Sequence, residues 1–275
     1  MIDVQNMKDD RGIEIQRVGV KDVNLPFQIR MKNGGLQQVQ GKVTISVPLP
    51  HQFKGTHLSR FMELLMAWSE KPIAGKEIRQ LLAELCANLE VAAAEISLKF
   101  RYFLPLMAPV SQTVGYLDYL GEFKGSLIQP ENLFDYQLGA EIPVLSLCPC
   151  SKEISRFGAH NQRAVIRTMV RFSYPGKILW LEELIDLLKE QGSCPVYPVL
   201  KREDEKYVTE TAYQNPKFVE DILRDSVIAL RSEPRIKWFQ VEVESFESIH
   251  NHSAFASHVE KVENIKPVSE KLPSP

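Results

Sequence analysis

The sequence predicts an α+β protein made of two ββααββ units, each an antiparallel sheet with helices on one face. Three observations carry that expectation. Strand-like alternation and helix-like periodicity follow one another in the same order in both halves of the chain. The alternation is one-sided, as antiparallel strands with one wet face require. The 275 residues are 44% hydrophobic and 25% charged, ordinary values for a chain long enough to bury a large core.

In the first half, Val43, Ile45, Val47 and Leu49 alternate with Lys42, Thr44 and Ser46, which marks a strand over residues 40–49. Residues 27–32 supply a hairpin partner, turned through Asn33-Gly34-Gly35. Leu58, Phe61, Met62, Leu65 and Met66 recur at helical spacing over residues 57–69. A second helix over 76–93 is expected to bury Ile78, Leu82, Leu85, Leu89 and Ala92 or Ala93. Strands follow at 95–103, with Ile96, Leu98, Phe100 and Tyr102 on one face, and at about 113–123.

The second half repeats the order. Residues 132–146 read as a strand, and 163–172 alternate again through Ile166, Thr168, Val170 and Phe172. A helix is expected over 179–190. Another spans 215–230, with Asn215 as N-cap and Pro216 in the first helical position. Phe239, Val241 and Val243 mark a strand over 236–246, and a short one follows at 254–259. The two halves share element order but no visible sequence identity. The expected divisions are a flexible N-terminus (1–13), two ββααββ units (14–130 and 131–260) and a disordered tail (261–275) rich in Lys, Glu, Pro and Ser. Two such units leave open sheet edges, for which oligomerisation is one remedy.

Charge narrows the function classes. With 33 Lys and Arg against 35 Asp and Glu, the net charge is -2, which argues against broad nucleic-acid binding. No apolar run approaches the roughly 18–20 residues of a membrane span. The opening residues lack the basic and apolar stretches of a signal peptide, so a cytoplasmic location is expected. Cys86, Cys148, Cys150 and Cys194 are then expected to be reduced.

Chemistry concentrates between residues 143 and 163. Cys148 and His160 are soft and borderline ligands that suit zinc, with iron second. No second Cys pair completes a closed four-ligand site, so a metal here would keep an open position. The other reading is a structural Cys and a surface His. Lys152, Arg156, Arg163, Arg167 and Arg171 face only Glu153 in this stretch. They form either a strand face of paired arginines or a phosphate cradle. The cluster from Lys201 to Glu210 reads as a charged surface loop. Glu247, His250 and His252 end a strand, where histidines can shuttle protons or pair on a metal. Glu220, early in the 215–230 helix, is either a solvated carboxylate or one that accepts two N–H groups at once.

Taken together, the segments resemble the type IB GTP cyclohydrolase I family, the prokaryotic form that starts folate synthesis. The resemblance rests on Gly55-Thr-His57-Leu-Ser-Arg60-Phe61, Ser146-Leu-Cys148-Pro-Cys150-Ser-Lys-Glu-Ile-Ser and Gly158-Ala-His160-Asn-Gln-Arg163. It continues through Asp204-Glu205-Lys-Tyr-Val-Thr-Glu210, Asn215-Pro-Lys-Phe-Val-Glu220-Asp221 and Phe246-Glu247-Ser-Ile-His250-Asn-His252-Ser. It implies a tunnelling fold with two ββααββ modules per chain, assembled as a homotetramer. It further implies conversion of GTP and water to 7,8-dihydroneopterin triphosphate and formate, the first step of tetrahydrofolate biosynthesis. A divalent metal, zinc or manganese with iron as a further option, would be held by Cys148, His160 and Glu205. Glu220 would anchor the guanine edge, while Glu247, His250 and His252 would act with Cys148 in the catalytic group. Lys152 and Arg163 are the candidates for the triphosphate, and Cys150 is expected behind the metal ligands.

Glu203 stands where many relatives carry Pro, which adds an acid beside Glu205. Three other readings stand beside this one. An archaeal-type relative makes a cyclic phosphate product with ferrous iron. The tunnelling-fold nitrile reductase of queuosine synthesis needs its own Cys-centred motif, which the Cys148 to His160 block does not match. A non-catalytic zinc-binding interaction module is the third.

Overall fold

A computed structural model describes residues 5, 7–172 and 178–262. The first half runs β1 (Ile15–Arg30), β2 (Leu36–Leu49), α1 (Leu58–Ser69), β3 (Pro72–Ile73), α2 (Gly75–Leu89), β4 (Ala93–Met107) and β5 (Val114–Ile128). The second runs β6 (Leu133–Leu147), α3 (Pro149–Ile154), β7 (Asn161–Phe172), α4 (Leu181–Lys189), β8 (Cys194–Pro195), α5 (Arg202–Gln214), α6 (Val219–Ser232), β9 (Ile236–Ser245) and β10 (Ala254–Lys261).

The strands form one sheet in the order β10-β9-β7-β6-β5-β4-β2-β1-β3, with β8 paired to β6. Every pairing is antiparallel except the short β1–β3 contact. The two ββααββ units meet at β5 and β6, from Leu120 opposite Glu141 to Ile128 opposite Leu133. The helices lie on one face and bury its alternating apolar side chains. Ile78, Leu82 and Leu85 of α2 are fully buried, as are Ile222 and Leu230 of α6. A second tie joins the units: Glu182 of α4 accepts from the Lys32 N–H at 2.9 Å and from the Tyr102 hydroxyl at 2.7 Å.

The other face is charged, and there the arginines of the predicted basic stretch find partners. Arg167 bonds Glu244 at 2.7 Å, Glu242 at 3.3 Å and Glu141 at 3.6 Å. Arg171 pairs with Asp135 at 3.3 Å and covers the Trp238 ring. Neighbouring strands supply the acids that the local sequence lacks. For these two residues the paired strand face is the correct reading, and the phosphate cradle is not.

Two helical expectations are corrected. Residues 201–210 are no loop but the start of α5, whose buried side chains are only Asp204 and Ala212. With almost no apolar stripe, that helix carries little periodic signal. Asn215 does not cap the helix that follows it. It ends α5, its N–H bonding the Thr211 carbonyl at 3.1 Å, and its side chain donates to the Gly192 and Ser193 carbonyls. A Pro disfavours helix in the residue before it, so Asn-Pro closes one helix as readily as it opens another. α6 starts later, at Val219, where Asp221 accepts the Phe218 N–H at 3.1 Å. α2 also stops earlier than expected, because Glu90 takes a left-handed conformation (φ 54°) and releases Ala93 to β4.

Within the expected flexible N-terminus, Met7 and Asp9 hydrogen bond to Lys54 and Gln52. The expected disordered tail lies, from residue 263 onward, outside the described residues. Among the described residues no helix is long and apolar enough to cross a membrane.

Phe239 of β9 is fully buried between α6 and the sheet. Phe239→Ala should cost about 3–5 kcal/mol in urea denaturation. A loss below about 1 kcal/mol would mean that this face is not the core.

Candidate active site

β6 and β7 end together. Leu147 faces Asn161 in the last rung, and the Cys148 N–H donates to the His160 carbonyl at 3.1 Å. There the hairpin opens into α3, with Pro149 in the first helical position, where a missing N–H costs nothing. Cys148 is the N-cap, and its Sγ accepts the Ser151 N–H at 3.4 Å. The Ser151 hydroxyl donates to the Cys148 carbonyl at 3.1 Å and accepts the His160 N–H at 3.2 Å. One serine thus clamps the backbones of both proposed ligands.

The His160 ring is held in turn. Its Nδ1 lies 2.8 Å from Oε1 of Gln162, a side chain only 8% exposed. Gln162 Nε2 donates to Ser245 Oγ at 3.2 Å and to Glu247 Oε1 at 3.3 Å. Ser245 Oγ donates to the same carboxylate oxygen at 3.0 Å. A continuous polar chain therefore runs from the β6–β7 end to the β9–β10 loop. Farther along that loop, the exposed His250 and His252 rings stack with centroids 5.2 Å apart.

Glu220 reaches this end of the sheet through backbone docking. The Lys217 N–H donates to the Leu147 carbonyl at 3.0 Å, and Ser146 Oγ donates to the Lys217 carbonyl at 3.0 Å. α6 starts just beyond. Asp221 takes the capping bond and pairs with Arg224, while Glu220 in the same turn stays exposed.

α5 is anchored at both ends. Asp204 is fully buried and accepts from the Val110 and Ser111 N–H groups at 2.9 Å, Ser111 Oγ at 2.6 Å and the Lys201 N–H at 2.9 Å. At the other end the Lys152 ammonium donates to the Tyr213 carbonyl and lies over its ring. Glu205 sits on the exposed side of the first turn. Arg163 is exposed too, on the face of β7 opposite Gln162.

The fold therefore gathers Cys148, His160 and Glu247, and starts the Glu220 helix beside them. Glu205 is not drawn in. Among the described residues no group of three or more His, Cys, Asp or Glu side chains is arranged to hold a metal.

With this geometry in place, comparison with known proteins is decisive. The family model described as type I GTP cyclohydrolase folE2 matches residues 1–256. The chain belongs to this family. GTP cyclohydrolase FolE2 of Geobacter sulfurreducens is 48% identical over 257 residues, covering 94% of this chain and 97% of that protein. The protein of the same name from Geotalea uraniireducens is 45% identical over 275 residues, covering 100% and 98%. Among solved structures, urate oxidase from Bacillus subtilis 168 superposes with a TM-score of 0.53 at 8% identity, covering 90% of this chain and 98% of that one. Uricase from Arthrobacter globiformis gives 0.52 at 9%, covering 91% and 95%. At such identities the likeness is one of fold: the antiparallel sheet with helices on one side that defines the tunnelling fold.

In this FolE2 chain the donor chemistry of the Cys148 and His160 pair fits a borderline divalent ion. It offers one thiol and one imidazole whose Nδ1 is already engaged, which leaves Nε2 to bind. Cys150 is exposed and Cys86 and Cys194 are buried; all four cysteines are free thiols. Burial raises the Cys194 thiol to about 11, which suits a packing residue rather than a ligand.

Sequence reading passed over Ser151, Gln162, Ser245 and Asp204. Two of these left a signal. Gln162 shares the inward face of β7 with Ala164 and Ile166, and a polar side chain there must find partners. Asp204 stands three residues after Lys201, the spacing at which a side chain caps a helix.

Asp204 yields a test of how α5 is held. Burial alone would raise its pKa, but the Ser111 hydroxyl and N–H, with the Lys201 and Val110 N–H groups, hold the carboxyl well below its usual range. A carboxyl lowered on folding adds stability above its unfolded pKa, about 3.9. That contribution is lost as pH falls below this value. Asp204→Asn should lower the thermal midpoint by several degrees at pH 7, and the gap to wild type should shrink near pH 3. An equal gap at both pH values would show that the ionised carboxylate is not the anchor.

Proposed function

We propose that this chain opens the imidazole ring of GTP by hydrolysis, releasing C8 as formate and yielding 7,8-dihydroneopterin triphosphate, the entry step of tetrahydrofolate synthesis in the cytoplasm. Family membership supports the reaction. The observation that carries the site is the hydrogen-bonded run from Cys148 and His160 through Gln162 to Glu247. That run supports reading Cys148 and His160 as a ligand pair and Glu247 as the proton-transfer group beside them.

Cys148 and His160 would hold zinc or manganese, with the exposed Glu205 of α5, which stands outside this group in the chain alone, turning in as third ligand when the ion binds and Cys150 behind them. When bound, such an ion supplies Lewis acidity that brings the pKa of water toward neutrality. The chain's own groups do the rest. Glu220 accepts the guanine N1–H and the exocyclic amine together, a bidentate grip that fixes the base. Glu247, His250 and His252 move protons as the C8–N bonds break. Of the two triphosphate candidates, Arg163 is exposed, while Lys152 already holds the Tyr213 carbonyl, so Arg163 is the better donor.

A homotetramer completes the reading. The sheet ends in β10 on one side, and on the other β1 pairs outward only at Gln28 and Ile29. Both long edges can add strands from further copies. The exposed Glu220, His250 and His252 leave room for a neighbouring copy to wall the site.

Metal-loaded protein incubated with GTP should release formate and, after oxidation, a fluorescent pterin. If zinc, manganese and iron all fail to support either product, the cyclohydrolase reading is lost. Cys148→Ala and His160→Ala should each abolish metal binding in a dialysis measurement. Glu220→Ala should keep its metal and raise KM for GTP about 10–100-fold, the loss of a charged bidentate contact. Metal loss in that variant would show the anchor to be misassigned.

A further inference from the structure

Among the buried polar side chains that the mechanism leaves without a role, Gln162 stands at the centre of the site. Gln162 is 8% exposed and stands between the proposed ligand His160 and the proposed proton-transfer residue Glu247. Its amide has two unlike ends. Only nitrogen donates and only oxygen accepts. Toward the β9–β10 loop it meets the Glu247 carboxylate, which accepts, and Ser245 Oγ, whose own hydrogen is given to Glu247. Nitrogen must therefore point that way. Oxygen is left facing His160 Nδ1 at 2.8 Å, with Ser248 Oγ also directed at it from 3.4 Å.

An acceptor facing Nδ1 selects the tautomer of the ring. We infer that Gln162 is a positioning residue, oriented by Glu247, that keeps the proton of His160 on Nδ1 and so presents the Nε2 lone pair to the metal. This deepens the reading above and rests on it for the identity of the ligand. The coupling is directional. Glu247 sets the amide, the amide sets the ring, and the ring sets which nitrogen is available. Hydrogen bonding to the far nitrogen of a ligating histidine typically changes metal affinity or activity about 10–100-fold.

The test reads the tautomer directly. Metal-free wild-type protein labelled with ¹⁵N-histidine, at mildly alkaline pH without GTP, should show His160 protonated on Nδ1. The His160→Ala spectrum supplies the assignment. Gln162→Met, close in volume but without the amide, should lose that preference and bind zinc at least tenfold more weakly in a chelator competition. In turnover, Gln162→Met should lower kcat and leave KM for GTP near wild type, because Glu220 is untouched.

A wild-type His160 protonated on Nε2 overturns the inference without any variant, so poor folding of Gln162→Met cannot shield it. Unchanged tautomer and zinc affinity in Gln162→Met overturn it as well. Wild-type protein with the expected tautomer but no turnover of GTP would remove the cyclohydrolase reading and leave the role of Gln162 standing.

Discussion

The pairing of β6 with β7 is the constraint on which the rest of the site depends. Side chains along a strand alternate between faces, so a slip of one residue would turn every one of them over. In the observed register Leu147 meets Asn161, and Ala164 meets Ser245 on the next strand. That register sends Gln162 inward to Ser245 and Glu247, and it sends Arg163 to the opposite face. The Cys148 N–H and His160 carbonyl close the ladder one step farther on. The Ser151 hydroxyl adds a clamp at Cys148 and His160, but the strand positions themselves need no side chain to set them. They follow from backbone hydrogen bonds that must be made once the strands are buried.

Around this end the packing changes character. The main core is a broad apolar layer between the helices and the sheet. The site end has only a small cluster of its own, Leu147, Cys194 and Ala212. Polar contacts do the holding there: Asp204 on the 110–111 backbone, Asn215 on Gly192 and Ser193, Lys152 on Tyr213, and Lys217 on Leu147. Hydrogen bonds are directional where apolar contacts are not, so they fix α3, α5 and the start of α6 in orientation as well as in place. The Cys148 to Glu247 chain is built in the same way.

How much of this was legible in the sequence depends on the kind of force involved. Burial of a strand face leaves a period of two, and Ile96, Leu98, Phe100 and Tyr102 are buried as that alternation requires. α1 shows its stripe less cleanly: Phe61 and Leu65 are fully buried, but Leu58 and Met66 are exposed while Leu64 and Trp68 are buried in their place. α5 hides because polar bonds hold it and it needs almost no apolar face. The same gap explains Asn215, where one Pro marked the end of a helix rather than a beginning. Arg167 looked unpaired because its three carboxylates lie on β6 and β9. Cys148, His160 and Glu247 could be named from motifs; Gln162 left only the mark of a polar residue on an inward face, since Ser245, Glu247 and Ser248, the partners that orient its amide, stand more than eighty positions away in the chain.

The two ββααββ units are alike in element order but not in their ends. In the first unit β1 turns into β2 through Met31 to Gly35, a tight turn with Gly34 at φ 85°. In the second, the same connection is expanded into α3 and its loop, and α5 enters between the paired helices. The repeat is thus symmetric as architecture and asymmetric as chemistry. On the proposed reading, each chain then carries one Cys148–His160 end and not two. The first unit keeps a family-like segment of its own, Gly55 to Phe61, at the connection from β2 to α1, so packing is not its sole constraint.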